Sequence, residues 1–202
     1  MQTILPGVNY SALKVFILLK VSFKIFYHIT LKVIIMKSIA IIYGSSTENT
    51  RNAADKIAEK LSEFSPTIID VYDGDEEAFL SHDILILGVS TWGVKDLQDD
   101  WSDFYNRFVK LDLSGKTIAL FGLGDAFIYP DSFVDAMGIL YEAIAEQDCK
   151  VIGKVPNEGY QFDYSRALID NEFVGLPLDD DNEHDLTDER IEKWVEQLKE
   201  EF

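Results

Sequence analysis

The sequence predicts an α/β fold in which a doubly wound, five-stranded parallel sheet forms the middle of three layers. Apolar runs rich in β-branched residues alternate along the chain with segments whose apolar residues recur at helical spacing. The runs are apolar at successive positions, which is typical of strands covered on both faces. Hydrophobic residues make up 47% of the 202 residues, so the chain can build a sizeable core and disorder is excluded.

The predicted elements follow in chain order. The strands share an apolar, β-branched composition, and they are Ser38–Tyr43, Thr67–Val71, Asp83–Val89, Thr117–Leu123 and a fifth that starts within Lys150–Val155. The helices share an apolar stripe, and they are Thr50–Phe64, Asp99–Lys110, Asp131–Glu146 and a last helix for which Thr187 is the predicted N-cap. The stretch Asn157–Glu172 interrupts the alternation, so it is an insertion that either splits or follows the fifth strand.

Charge divides the chain near residue 36. Residues 1–35 contain four of the 18 basic residues and no acidic one, so residues 36–202 carry 14 basic against 36 acidic residues, a net charge of −22. We interpret residues 1–35 as an N-terminal extension produced by an upstream mis-start, with Met36 as the native start of a domain that spans residues 36–202. The alternative is peripheral membrane attachment by an apolar helix that carries lysines.

Two other interpretations of the extension are disfavoured. In a transmembrane helix, Lys20 and Lys24 would lie within the span, and each would cost about 2.5–3.5 kcal/mol at the helix centre. A secretory signal needs a longer apolar run than Val15–Leu19 and a small-residue cleavage site. We therefore expect no stable membrane insertion.

Composition excludes several classes of function. The formal charge of −18 and a pI near 4.4 argue against nucleic-acid binding, which needs basic charge facing phosphates. The single cysteine, Cys149, cannot form a disulfide framework, a CxxC redox pair or a cysteine-based metal site. Three histidines lie far apart in the sequence without ligand spacing, so we predict no metal centre; they are His28, His82 and His184.

Ligands of doubly wound folds bind beyond the carboxyl ends of the strands, where the strand order reverses. The loop after the first strand is GSSTENT, residues 44–50, in which hydroxyls and backbone N–H groups at a helix N-terminus form an anion site. It lacks the glycine-lysine-hydroxyl signature of triphosphate loops and the three-glycine dinucleotide fingerprint. The loop therefore favours a terminal monophosphate, or it is simply a turn that caps the helix.

The other two loops carry aromatic residues. Residues 90–95, STWGVK, follow the third strand, and Trp92 offers either an aromatic face for a flat ring or a packing anchor. Residues 122–131, GLGDAFIYPD, follow the fourth strand, where glycines permit close approach of the backbone to a ligand and Tyr129 supplies a second aromatic ring. Taken alone, the loop of residues 122–131 is equally consistent with an ordinary tight loop. All three loops in this order are unlikely to arise by chance.

With these motifs the sequence resembles the long-chain flavodoxins over residues 36–202. The resemblance rests on GSSTENT, STWGVKDLQDDW, GLGDAFIYPDSFVDAMGIL and the tail FVGLPLDDDNEHDLTDERIEKWVEQL, and the insertion Asn157–Glu172 matches the extra loop of long-chain members. It implies a flavodoxin-like fold and a low-potential one-electron carrier that binds FMN non-covalently. The carrier would shuttle electrons from a flavoprotein reductase to acceptor enzymes.

The resemblance also implies roles for individual residues. The phosphate would be held by Ser45, Ser46, Thr47, Glu48, Asn49 and Thr50. The isoalloxazine ring would be sandwiched by Trp92 and Tyr129, with its edge contacted by Thr91, Gly93 and Val94. Backbone N–H groups would be offered to the pyrimidine end by Leu123, Gly124 and Asp125. The ribityl chain would be approached by Asp181.

Two residues depart from the family pattern. Glu48 stands where most members have glycine, which is acceptable if its φ is negative and its carboxylate points to solvent, away from the phosphate. Ser90 stands where many members have proline, a minor change.

Acidic loops predict the redox behaviour. Fully reduced flavin is an anion, so carboxylates around it disfavour the second electron and make that step strongly reducing. When flavin takes up the first electron it also takes up a proton, and a nearby carbonyl oxygen must accept a hydrogen bond from the new N–H group. The carbonyl of the Gly93–Val94 peptide can turn toward this N–H group, because glycine makes such a rotation easy.

The resemblance implies a monomeric, cytoplasmic protein. Its donor would be NADPH:flavodoxin reductase, and its acceptors would be redox enzymes whose basic patches attract the acidic carrier. One alternative is an FMN-dependent NAD(P)H:quinone reductase, which needs room over the flavin for hydride transfer. A response regulator on a similar fold would need paired acids after the first strand, where this chain has serines and a threonine.

Overall fold

A computed structural model describes Lys20, residues 37–93 and residues 96–202. The extension of residues 1–35, apart from Lys20, lies outside this part of the chain, so its boundary stays a prediction. The helices are α1 Asn49–Lys60, α2 Glu76–Leu80, α3 Asp99–Phe108, α4 Asp135–Ile144 and α5 His184–Glu201. Strands β1 to β5 are Ile39–Tyr43, Thr67–Asp70, Ile84–Trp92, Asp96–Leu97 and Thr117–Leu123. Strands β6 to β10 are Lys150–Ile152, Val155–Pro156, Leu168–Ile169, Glu172–Phe173 and Leu176–Leu178.

The predicted doubly wound sheet is confirmed. The main sheet has the order β10-β5-β3-β1-β2, with every pairing along this path parallel. From β1 the chain continues to β2, at one edge of the sheet, and then crosses to β3 on the other side of β1. The strand order therefore reverses between β1 and β3. Parallel strands end at the same edge of a sheet, which brings the loops after β1, β3 and β5 together.

Helices cover both faces of the sheet. Alternate residues of β1 belong to opposite cores, with Ala40 and Ile42 in one and Ile39 and Ile41 in the other. One core contains the apolar faces of α3 and α4, and the second contains those of α1 and α5. This arrangement explains why the strands are apolar at successive positions, since each side chain is buried whichever way it points.

The insertion splits the fifth strand of the sheet. Lys150–Ile152 pair with the first half of β5, and Leu176–Leu178 pair with its second half. Between them the chain forms a small antiparallel sheet of order β7-β9-β8. The sequence left open whether the insertion splits or follows this strand, and the pairing decides for splitting.

Several helix boundaries differ from the prediction. α5 begins at His184, and Thr187 is a buried residue inside it whose hydroxyl donates to Asp180 Oδ1 at 2.9 Å. The prediction of Thr187 as the N-cap was therefore wrong. The predicted helix Asp131–Glu146 consists of a 3₁₀ turn, Pro130–Ser132, and α4, separated by Val134 at a φ of 50°. α2 was not predicted, because it has only five residues.

No helix in residues 37–93 and 96–202 combines the length and the apolar character that crossing a bilayer requires.

Candidate functional site

A cavity of about 330 Å³ opens at the carboxyl ends of the sheet. The pairing of β1, β3 and β5 brings the ends of these strands to the same level. Ser90 of β3 lies beside Leu123 of β5, and Tyr43 of β1 lies beside Gly88 of β3. The three loops that the sequence singled out therefore face one space.

Most of the predicted site residues line this cavity: Thr47, Asn49, Thr50, Thr91, Trp92, Gly93, Leu123, Gly124, Asp125, Tyr129 and Asp181. The described lining also includes Ser90 and Asp180, which the sequence did not assign to the site. Ser45, Ser46 and Glu48 belong to the adjoining loop without lining the cavity. Val94 lies outside the described residues.

The loop after β1 ends in a strained residue. Glu48 has a φ of 67° and a ψ of −13°, the left-handed region that favours glycine. The first condition on Glu48, a negative φ, is therefore not met. The second condition is met, since the carboxylate is exposed and pairs with Arg51 Nη1 at 3.2 Å.

The same loop presents unsatisfied donors. Glu48 is the N-cap of α1, yet its side chain makes no capping hydrogen bond to the first N–H groups of the helix. Ser45 Oγ is buried and has no hydrogen-bond partner within the described part of the chain. A buried hydroxyl without a described partner, next to a helix N-terminus that its N-cap side chain leaves uncapped, suits an anion.

Gln98 connects the loop after β1 to the segment after β3. The sequence did not predict this role for Gln98. Its side chain is buried, and Nε2 donates to Ser46 Oγ at 3.1 Å and to Asp100 Oδ2 at 2.6 Å. Its Oε1 accepts from the backbone N–H of Trp101, so Gln98 also caps α3. The polar residue directly before a predicted helix was the available signal.

Two aromatic side chains on the cavity remain exposed. Trp92 is 43% exposed and Tyr129 is 41% exposed, whereas Trp101 and Trp194 are buried. The Trp92 indole Nε1 donates to Ser90 Oγ at 3.1 Å, which fixes the ring at the end of β3. Large rings that line a cavity without being buried are available to stack on a flat ligand.

The backbone that follows Trp92 also lines the cavity. Gly93 has a φ of 52°, and an added Cβ there would meet no described atom within 4 Å. The hydroxyl oxygen of Thr91 accepts from the backbone N–H of Ala136 at 3.0 Å, so this side chain ties the end of β3 to the first turn of α4. Thr91 thus holds the cavity wall in place.

A carboxylate–amide network organises the loop that carries Tyr129. Asp125 Oδ1 accepts from the backbone N–H of Ile128 at 2.8 Å and from Asn182 Nδ2 at 2.9 Å. Asp179, which is buried, accepts from Asn182 and from the backbone N–H of Ala126 at 3.0 Å. The backbone N–H of Gly124 donates to the Leu178 carbonyl oxygen at 3.1 Å, so this predicted donor to a ligand is already engaged.

The cavity mouth is electrostatically negative. Partial burial raises the pKa of the Asp181 carboxyl above its ordinary value, and three neighbouring carboxylates raise it further: Asp125, Asp179 and Asp180. A carboxyl group that resists ionisation indicates surroundings that oppose added negative charge. Among the described residues, no group of histidine, cysteine or acidic side chains is placed to hold a metal ion.

Comparison with known families agrees with this geometry. The family model described as Flavodoxin matches residues 41–194. A flavodoxin from Enterobacter agglomerans is 45% identical over 173 residues, which cover 81% of this chain and 98% of that protein. A flavodoxin from Nostoc sp. is 41% identical over 166 residues, which cover 82% of this chain and 98% of that protein.

A solved structure is similar over the same region. The crystal structure of Fusobacterium nucleatum flavodoxin bound to flavin mononucleotide superposes with a TM-score of 0.77 at 30% identity. The match covers 83% of this chain and 99% of that one.

Proposed function

The chain belongs to the flavodoxin family, and on that premise we propose that it is a low-potential carrier of single electrons that binds one FMN non-covalently. The observation that carries this proposal is the pair of half-exposed rings, Trp92 and Tyr129, on one cavity at the carboxyl ends of the sheet. Members of the family transfer electrons and are not enzymes. Bound flavin supplies the one-electron redox chemistry, and the chain supplies its binding, orientation and electrostatic surroundings.

The residues present fit the phosphate of FMN. The buried Ser45 hydroxyl lacks a partner in the described chain, and the Glu48 side chain does not cap the N–H groups at the start of α1. Phosphate oxygens accept such hydrogen bonds, and the helix dipole favours their negative charge. We assign the phosphate to residues 45–50, as the resemblance implies, with the Glu48 carboxylate turned toward Arg51 and away from it.

The acidic mouth determines how strongly the carrier reduces. The cavity lining includes Asp125, Asp180 and Asp181, and each negative charge there opposes the addition of another. At about 59 mV for each tenfold change in a one-electron equilibrium, modest repulsion lowers the potential of the second electron substantially. This supports a role in low-potential reactions.

The partners would be redox proteins that exchange electrons with the bound flavin. We assign NADPH:flavodoxin reductase as the donor and low-potential enzymes with basic patches as acceptors. The net charge of −22 on residues 36–202 steers association and makes it weaken with salt. We further propose a cytoplasmic monomer.

The experiment that tests this function uses the purified full chain. We expect yellow protein with one FMN per chain, reduced in two separate one-electron steps. We also expect negligible NADPH oxidation with a quinone until a flavoprotein reductase is added. Colourless protein that refuses added FMN would overturn the assignment, and rapid turnover without the reductase would favour the quinone reductase.

Glu48→Gly is expected to stabilise the apoprotein by about 1 kcal/mol, because glycine adopts the left-handed conformation without strain. The affinity for FMN should also rise several-fold, since a carboxylate leaves the phosphate loop. Denaturant unfolding and fluorescence titration measure the two effects. Glu48→Gln is the matched control, because it removes the charge but keeps the strain; it should improve affinity alone. A less stable Glu48→Gly protein would contradict the strain argument.

Gly93→Val is expected to make the first one-electron potential more negative by about 60 mV, which corresponds to about 1.4 kcal/mol. Valine disfavours the positive φ observed at this position and restricts rotation of the following peptide. A spectroelectrochemical titration measures the potential. Gly115→Val is the control, because Gly115 also has a positive φ, at 76°, but does not line the cavity. Equal potentials in both variants would argue against a role for the Gly93 peptide.

A further inference from the structure

The segment that carries Tyr129 needs support from outside itself. Residues 129–135, which we call the wall segment, include Val134 at a φ of 50°. This conformation is an outlier for a β-branched residue, and it persists only where the surroundings enforce it. Val134 is fully buried, so packing against other elements holds it.

The insertion contacts the wall segment at three points. We call residues 160–166 of the insertion the clamp. The backbone N–H groups of Asp163 and Tyr164 donate to one carbonyl oxygen, that of Pro130, at 2.9 and 3.0 Å. This carbonyl belongs to the residue directly after Tyr129, so the clamp acts next to the cavity wall.

The second and third points lie further along the wall segment. The ring of Phe162 lies 5.5 Å from that of Phe133, centroid to centroid. The backbone N–H of Arg166 donates to Asp135 Oδ1 at 2.6 Å. The clamp therefore contacts the wall segment at residues 130, 133 and 135.

The clamp is in turn fixed to the rest of the domain. The Phe162 ring lies 5.4 Å from that of Phe173 in β9. Arg166 Nε donates to Glu142 of α4 at 2.6 Å, and the Arg190 guanidinium of α5 stacks over the Tyr160 ring at 4.3 Å. Three elements thus hold the clamp, which gives it the rigidity to position a neighbour.

We propose that the clamp positions Tyr129 for FMN binding, and that the insertion is a working part of the cofactor site. This inference rests on the proposed function. Tyr129 itself is tied within its loop by a bond from its N–H to the Asp125 carbonyl oxygen at 2.9 Å. The clamp holds the opposite end of that loop, so both ends of the short segment that carries the ring are fixed before a ligand arrives, which lowers the ordering cost of binding.

The test is a double-mutant cycle between Phe162 and Tyr129. Phe162→Ala, Tyr129→Ala and the double variant are compared with the parent for FMN dissociation constant, by fluorescence titration of the apoproteins. We expect Phe162→Ala to weaken binding about tenfold in the parent and less than threefold in the Tyr129→Ala background. A merely structural role would give the same fold-change in both backgrounds, and that result overturns the proposal.

Two further variants keep the test decisive. Phe64→Ala is the control, because Phe64 is also half-buried and packs on an aromatic ring, that of Phe202 at 5.4 Å, but lies outside the cavity lining and the clamp. It should leave FMN affinity within twofold. Arg166→Gln removes the ion pair with Glu142 while keeping every ring, and it should weaken binding in the same Tyr129-dependent way even where Phe162→Ala fails to fold. An unchanged affinity in Arg166→Gln counts against the clamp.

The outcome separates this inference from the proposed function. Failure of the parent protein to bind FMN would overturn the function. Tight binding by the parent together with additive effects would overturn the clamp alone.

Discussion

Replacing both Trp92 and Tyr129 by alanine is expected to weaken FMN binding about a thousandfold. Stacking of a planar heterocycle on one aromatic side chain contributes about 1–3 kcal/mol by alanine substitution. Two faces therefore contribute about 4 kcal/mol, and each 1.4 kcal/mol is a factor of ten in the dissociation constant. The single variants should each lose about 10- to 100-fold. Fluorescence titration of the apoproteins measures all three.

The matched control for this prediction is Phe127→Ala. Phe127 lies in the same loop as Tyr129 and is 79% exposed, but it does not line the cavity. Its removal should change the dissociation constant less than twofold. A comparable loss in Phe127→Ala would mean that the loop as a whole, and not the Tyr129 face, holds the ligand. Parental affinity in the double variant would contradict stacking of FMN between the two rings.

Elements with a two-sided apolar pattern could be predicted from the sequence. β1, β3 and β5 lie in the middle of the sheet, and apart from the last three residues of β3 their side chains are buried on both faces. The pattern is therefore continuous and distinct from that of the helices. Parallel strands end at one edge, which was sufficient to place the three loops around one cavity. Trp92 and Tyr129 were therefore predictable as neighbours in space, although they lie 37 positions apart in the sequence.

What the sequence could not supply depends on contacts between distant segments. β6 and β10 have three residues each, too few for a periodic pattern, and only their partners on β5 identify them as one divided strand. The positive φ of Glu48 is a backbone property to which its residue type gives no clue. Ser90 and Asp180 were not predicted as lining residues, although Ser90 begins the loop of residues 90–95; for Asp180 only the fold places the residue on the cavity.

The division of the fifth strand leads to the second large effect. Gly175→Ala is expected to destabilise the apoprotein by about 3 kcal/mol or more, the upper range for overpacking. A Cβ at position 175 would lie 2.1 Å from the carbonyl oxygen of Leu120 and 2.7 Å from its carbonyl carbon. These are backbone atoms of β5, which is hydrogen-bonded to β3 on its other side, so neither strand can move away without breaking the sheet.

Gly159→Ala is the comparison that isolates this clash. Gly159 has a φ of 82°, and an added Cβ there would meet no described atom within 4 Å, so alanine costs only the left-handed strain of about 1–2 kcal/mol. Denaturant unfolding of both apoproteins measures the difference. Equal destabilisation of the two variants would mean that the insertion can shift to relieve the contact.

Gly175→Ala should also weaken FMN binding. Gly175 directly precedes β10, whose Leu178 pairs with Leu123 and accepts the hydrogen bond from Gly124. Leu123 and Gly124 line the cavity, so a displaced β10 moves this wall of the cavity. We therefore expect the Gly175→Ala protein to bind FMN more weakly even at temperatures where it remains folded, whereas Gly159→Ala should bind it like the parent. Parental affinity in folded Gly175→Ala would show that the wall after β5 keeps its place without the second half of the divided strand.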